Sequence, residues 1–168
     1  MTIAVINLAR SKDRRELIEA TFARLGLGFE FFAGIDAWRG EHVRFSQYNA
    51  TAVPSDFFRP LAAGEIGCFA SHYLLWQRCM ESREPLVIME DDVVIDDGFV
   101  RPLETTTDLL PTFPFIRLGL TQEGGGTAPI LSLPSGFELV SLTSGTFGCQ
   151  CYILSEVVAK ALFEHAAV

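Results

Sequence analysis

No apolar stretch of the 168 residues approaches the ~20 that a membrane-spanning helix needs. The opening Thr2-Ile3-Ala4-Val5-Ile6 is too short for the core of a signal peptide, and charges follow it instead of a small-residue cleavage site. The expectation is a cytoplasmic chain, at most peripheral to a membrane. Positive charge is scarce, with 13 Lys and Arg against 21 Asp and Glu, a net charge of −8. That argues against non-specific binding to nucleic acid, and an anionic substrate would need a local positive element, either a metal or a small Arg/Lys cluster. Cysteines number four, and their spacing fits neither a disulfide framework nor a structural zinc site. Cys68 and Cys79 fall in one helical stretch, too far apart to bridge while it is intact. Cys149 and Cys151 stand at i and i+2 in a strand-like run, which places them on one face. Buried free thiols are expected. Repeats, low-complexity stretches and linkers are also missing. What remains is an ordinary globular composition, 49% hydrophobic and 20% charged, enough for one domain with a real core.

The most informative segment present is Leu86-Val87-Ile88-Met89-Glu90-Asp91-Asp92. An apolar strand runs up to three consecutive carboxylates, which are costly beside a core unless something positive neutralises them. In an α/β sheet the carboxyl end of a strand is where ligands bind. Strand alternation puts Glu90 and Asp92 on one side and Asp91 on the other. Two oxygen donors on one face suit a hard divalent cation, Mg²⁺ or Mn²⁺, carrying a substrate diphosphate. The plainer alternative is a polar turn capping a buried strand.

Strand and helix signals alternate along the chain. A buried strand over 3–6 leads through a loop at Asn7 to Arg10 into a helix that begins at Ser11 or Asp13 and ends before Gly26. A second strand follows over 29–32, and residues 36–60 read as irregular, broken by Gly40, Pro54 and Pro60. A helix over 64–82 carries a buried stripe and precedes the acidic strand. After the Asp96-Asp97-Gly98 turn come a modest helix to Leu110 and a strand over 115–119. Gly124-Gly125-Gly126 makes a loop without the spacing of a phosphate-binding fingerprint. Strands over 138–142 and 148–154 and a helix over 155–167 complete the chain. The order predicts one α/β domain over 1–168, a mixed, mostly parallel sheet with helices on both faces.

Five blocks, in order, resemble glycosyltransferase family 25, which includes bacterial lipooligosaccharide and collagen galactosyltransferases. They are Val5-Ile6-Asn7-Leu8-Ala9-Arg10-Ser11-Lys12-Asp13-Arg14-Arg15, Phe29 to Ala37, Gly64-Glu65-Ile66-Gly67-Cys68-Phe69-Ala70-Ser71-His72 through Trp76, Glu90-Asp91-Asp92, and Ile116-Arg117-Leu118-Gly119. The resemblance implies a GT-A-like nucleotide-sugar-binding fold. It also implies transfer of a sugar, with inversion, from a UDP-sugar to a glycan or glycolipid acceptor, at the cytoplasmic face of the inner membrane. Glu90 and Asp92 would hold the Mn²⁺ or Mg²⁺. Asn7, Arg10, Arg14, Glu65, Ser71, His72 and Asp91 form the donor-binding set. The plainer alternatives are a solvated loop and helix face for Asn7, Arg10 and Arg14, a satisfied helix histidine for His72, and a dipole-favoured carboxylate for Glu65. Trp76 reads as a core anchor.

Two departures stand out. Ala62-Ala63 replaces a Thr-Pro pair common in the family, which removes an obvious helix cap. The chain also ends at Val168, where the family continues into the part that carries the catalytic base and much of the acceptor site. Glu123, beside the glycine loop, is the one late acidic residue in position to be a base. A haloacid dehalogenase-type phosphohydrolase would need Asp where Glu90 stands, on the first strand. A non-catalytic nucleotide-sugar-binding or assembly module is the alternative from another class.

Overall fold

The computed structural model describes residues 1–44, 61–119, 126–134, 136–143 and 148–166. The elements in chain order are β1 (Thr2–Asn7), α1 (Lys12–Leu25), β2 (Glu30–Ala33), two 3₁₀ turns (Ala37–Arg39 and Glu41–Arg44), α2 (Ala63–Ser82), β3 (Leu86–Glu90), α3 (Val100–Leu109), β4 (Phe115–Arg117), β5 (Thr127–Ser132), β6 (Glu138–Leu142), β7 (Cys151–Leu154) and α4 (Glu156–Ala166). The main sheet has the order β2-β1-β3-β7-β4. β1 pairs in parallel with both β2 and β3, while β7 runs antiparallel to β3 and β4. This is the mixed, mostly parallel α/β sheet that the sequence predicts.

Period-two alternation divides the core between the two faces. Ile3, Val5, Val87, Met89, Cys151 and Ile153 pack with Ile18 and Phe22 of α1 and Leu103 of α3. Ala4, Leu86, Ile88, Tyr152 and Leu154 pack with Leu75 and Cys79 of α2 and Ala159 of α4. Helices therefore cover both faces, α1 and α3 on one and α2 and α4 on the other. α1 stops at Gly26, in the left-handed conformation at φ 67°. α2 lacks a capping side chain at Ala62, and Glu65 compensates: its Oε2 accepts the Ala62 N–H at 2.6 Å.

Two expectations are corrected. Cys149 and Cys151 do not share a face, because β7 begins only at Cys151. Cys151 lies in the α1–α3 core, whereas Cys149, before the strand, packs on the α2–α4 side. A strand also forms where none was expected: β5 pairs antiparallel with β6 as a separate ribbon. Pro129, which has no N–H to give to a ladder, sits beside a register shift between Pro129 and Leu131.

Candidate functional site

The chain leaves β1 toward β2 on one side and returns as β3 on the other. The carboxyl ends of β1 and β3 thus lie side by side where the winding reverses, the place where open α/β sheets bind ligands. A cleft opens there. It is lined by Arg10 and Arg14 beyond β1, Asp36 and Trp38 beyond β2, Gly67, Ser71 and His72 of α2, and Glu90, Asp91 and Asp92 at the end of β3. Seven of the nine residues expected to bind donor or metal within the described chain line it; Asn7 lies beneath, bonded to Asp91, and Glu65 sits at the start of α2 in its capping role. Glu123, the expected base, lies outside the described residues.

The acidic run splits between the two faces. Glu90 continues the alternation of β3 and turns toward α2. Asp91 turns toward α1, where it is 8% exposed, accepting from Asn7 Nδ2 at 2.7 Å and Arg14 Nη1 at 3.0 Å. Asp92 does not return to the side of Glu90, as alternation predicts. β3 ends at Glu90, Asp91 and Asp92 form a turn, and Arg14 Nη1 also reaches Asp92 Oδ2 at 3.4 Å. Hydrogen bonding and charge from Asp91 outweigh slight desolvation and raise the Arg14 pKa further.

The opposite wall is tied together as firmly. Arg10 Nε donates to Asp36 Oδ2 at 2.8 Å, and Asp36 Oδ1 accepts the Trp38 N–H at 3.1 Å, fixing the 3₁₀ turn. Ser71 Oγ accepts the Ile35 N–H at 2.9 Å and donates to the Gly67 carbonyl at 2.7 Å. Ser71 is thus a clamp between α2 and the loop after β2. Gly67 permits that approach, since a Cβ there would lie 2.5 Å from the Ile35 carbonyl oxygen.

His72, 3% exposed, sits between two hydrogen-bonding groups. Its Nδ1 lies 2.7 Å from the Tyr152 hydroxyl, which also accepts from Trp76 Nε1 at 2.9 Å. Its Nε2 lies 3.3 Å from Glu90 Oε1 and 3.5 Å from Cys149 Sγ. Burial alone would depress the imidazolium, but the bonds and charges of Cys68 and Glu90 outweigh it and raise the pKa to about 9. His72 in turn holds the Glu90 carboxyl below its usual range. Cys149 and His72 lower the Cys68 thiol to about 6, while Cys149 is pushed upward by Cys68, by burial and by Glu90. All four cysteines are free, as expected.

Sequence reasoning missed Asp36, Cys68, Cys149 and Tyr152 as members of this region. One signal was available: Cys68 and His72 are i and i+4 on one helix, hence on one face. Cys149 and Tyr152 reach the site only through the antiparallel pairing of β7 with β3, which no local pattern announces.

The family model for glycosyltransferase family 25 (LPS biosynthesis protein) matches residues 1–125. The chain belongs to that family. It is 35% identical over 174 residues to the lacto-N-neotetraose biosynthesis glycosyltransferase LgtB of Neisseria gonorrhoeae, covering 98% of this chain and 60% of the relative. To the lipooligosaccharide biosynthesis protein lic2B of Haemophilus influenzae it is 27% identical over 173 residues, covering 96% of this chain and 62% of the relative. A 113-residue match to procollagen galactosyltransferase 1-B of Xenopus laevis is 33% identical and covers 61% of this chain but 18% of that protein. The chain thus spans about three-fifths of the bacterial relatives' length.

Proposed function

We propose that this chain is a glycosyltransferase that binds a UDP-sugar, with UDP-galactose the first candidate, together with Mn²⁺ or Mg²⁺. It passes the sugar with inversion to a lipooligosaccharide or related glycan. The observation that carries the reading is the charge of the switch-point cleft: two guanidiniums, Arg10 and Arg14, face four carboxylates, Asp36, Glu90, Asp91 and Asp92. Such a cleft repels a bare diphosphate and attracts one that arrives with a divalent cation.

The donor set fits a hard cation. Asp92 is the more available ligand, with 47% of its side chain exposed against 24% for Glu90, and both offer carboxylate oxygens. When bound, the metal would neutralise the departing diphosphate. The protein's own groups do the rest. Arg14 can move from Asp92 to a phosphate oxygen without losing Asp91, and the N-terminus of α1 adds backbone N–H groups beside the end of β1. Asn7 holds Asp91, and so Arg14, in place. Trp38, 76% exposed at the cleft, offers an aromatic face to a base.

Among the described residues, no helix is long and apolar enough to cross a membrane. In this reading a glycolipid acceptor is met at the cytoplasmic membrane surface.

The test has two parts. Thermal stability with UDP and Mn²⁺, separately and together, should show a joint shift larger than either alone. Asp92→Asn should abolish the joint shift while leaving the unliganded melting temperature within about 2 °C, because the amide is nearly isosteric and the site is exposed. UDP release from UDP-galactose, UDP-glucose and UDP-N-acetylglucosamine, with and without glycan acceptors, then reads transfer. Donor binding with no acceptor-stimulated turnover would support the alternative of a binding or assembly module. An unchanged joint shift in Asp92→Asn would remove Asp92 from the metal site.

A further inference from the structure

Behind the cleft, where α2, the end of β3 and the segment before β7 meet, four side chains converge: Cys68, His72, Glu90 and Cys149. One ligand atom from each lies within 4.8 Å of all the others. We propose that these four residues form a binding site for a thiophilic divalent transition metal, Zn²⁺ the first candidate, separate from the hard-cation site at Asp92.

The spacing of the atoms is the main argument. Zn²⁺ binds thiolate sulfur at about 2.3 Å and imidazole nitrogen or carboxylate oxygen at about 2.0–2.2 Å, in a tetrahedron. The edges of such a tetrahedron are about 3.8 Å for S···S, about 3.6 Å for S···N and S···O, and about 3.4 Å for N···O, by trigonometry on those bond lengths. The protein places Cys68 and Cys149 Sγ 4.0 Å apart, Cys149 Sγ and His72 Nε2 3.5 Å apart, and His72 Nε2 and Glu90 Oε1 3.3 Å apart. Cys149 and Cys68 Sγ lie 2.9 and 3.9 Å from Glu90 Oε1, on either side of the expected edge. Side-chain adjustments of up to about 0.7 Å, the largest between Cys149 and Glu90, would bring these edges to the tetrahedral values.

The surroundings provide a second, independent argument. A metal-binding histidine commonly donates its other ring N–H to an orienting partner. Here His72 Nδ1 meets the Tyr152 hydroxyl, whose two lone pairs can accept both that N–H and the Trp76 indole N–H. That arrangement leaves Nε2 pointing at Glu90 and Cys149. Two thiols, an imidazole and a carboxylate make a closed four-ligand set of the structural kind. On binding, both sulfurs coordinate as thiolates and His72 Nε2 as a neutral imidazole nitrogen, and the protons these groups carried pass to solvent. The ion would then fasten the segment before β7 to α2 and β3 beneath the donor cleft. Glu90 belongs to this group through Oε1, so the hard-cation reading rests chiefly on Asp92.

The test uses the full chain, reduced, stripped with a chelator and titrated with Zn²⁺ or Co²⁺ alone. One equivalent should bind and raise the melting temperature. Co²⁺ should give thiolate charge-transfer absorption and the intense visible bands of a tetrahedral centre. Cys68→Ser and Cys149→Ser should each lose the charge-transfer signature in part and together entirely, and Tyr152→Phe should weaken affinity about 10–100-fold. Asp92→Asn should leave the cobalt spectrum unchanged, so failure here is distinguishable from failure of the donor-site reading. Should the serine variants not fold, protection of Cys68 and Cys149 from alkylation by Zn²⁺ in the unsubstituted chain, read by mass spectrometry, decides the matter. Absence of the charge-transfer band in the reduced chain, its persistence in the double variant, or a Cys68–Cys149 disulfide forming as readily with Zn²⁺ as without would each overturn the proposal.

Discussion

Both oxygens of Asp91 are occupied, one by Asn7 and one by Arg14, in a site almost closed to water. Asp91→Asn would keep the shape but offer a single acceptor oxygen, setting an amide N–H₂ against one of the two donors. Loss of a charge-assisted bond and the resulting donor–donor contact should cost about 2 kcal/mol. Urea denaturation checks this: the midpoint should fall for Asp91→Asn and stay close to the original for Asp92→Asn, whose carboxylate is half exposed. A ranking the other way would show that Asp91 is not a structural hub. The run of three acids marked the site in the sequence, but their separate tasks depended on where β3 ends, and that single boundary also undid the expected pairing of Glu90 with Asp92. Cysteine shows the same limit. Cys79 is buried beside the Glu84 carbonyl, and burial raises its thiol to about 11. It should therefore resist iodoacetamide at pH 8 in the folded chain, whereas the half-buried Cys68 should label. Equal labelling of the two would contradict the burial assigned to Cys79.

Helix α2 shows how an element places a site. Its Gly67 faces the Ile35 carbonyl so closely that a methyl group has no room. Gly67→Ala would gain about 1 kcal/mol of helix propensity. Against this stands backbone, which cannot rotate aside as a side chain can, and the Ser71–Ile35 bond that depends on the same approach. Over-packing should prevail, with net destabilisation of about 1–3 kcal/mol. Because the displaced loop carries Asp36 and Trp38, UDP–Mn²⁺ binding should weaken as well. Thermal melting with and without the ligands separates the two effects, and a variant more stable than the original chain would refute the packing argument. The α2 stripe could be read from helical periodicity, and β1 and β3 from short apolar runs, since both faces of those strands are covered. Of the ribbon, β6 was legible as the strand over 138–142, but β5 was not. Its residues are mostly exposed, so no buried alternation marks them, and the bulge after Pro129 hides the pairing behind a residue that ordinarily forbids it.

Across the whole molecule, the winding reversal puts the most stable structure directly beneath the most functional surface. β1 and β3 are paired on both edges within the sheet, and their central residues Ala4, Val5, Val87, Ile88 and Met89 are wholly buried. Opening them requires separating helices from both faces, so their amides should exchange only by near-global unfolding. The β5–β6 ribbon has two strands, and Ile130, Leu131, Phe137 and Leu142 stay exposed on it. A ribbon of that size has little stability of its own, and its amides should exchange far sooner. Hydrogen exchange followed by mass spectrometry should thus rank peptides from β1 and β3 slowest and those from 127–142 fastest. Addition of UDP and Mn²⁺ makes the measurement a test of the site. Linkage stabilises whatever the ligands contact, so residues 8–14, 35–38 and 91–92 should gain protection while the ribbon does not. Protection confined to the ribbon would move the donor site away from the switch point and out of the acidic cleft.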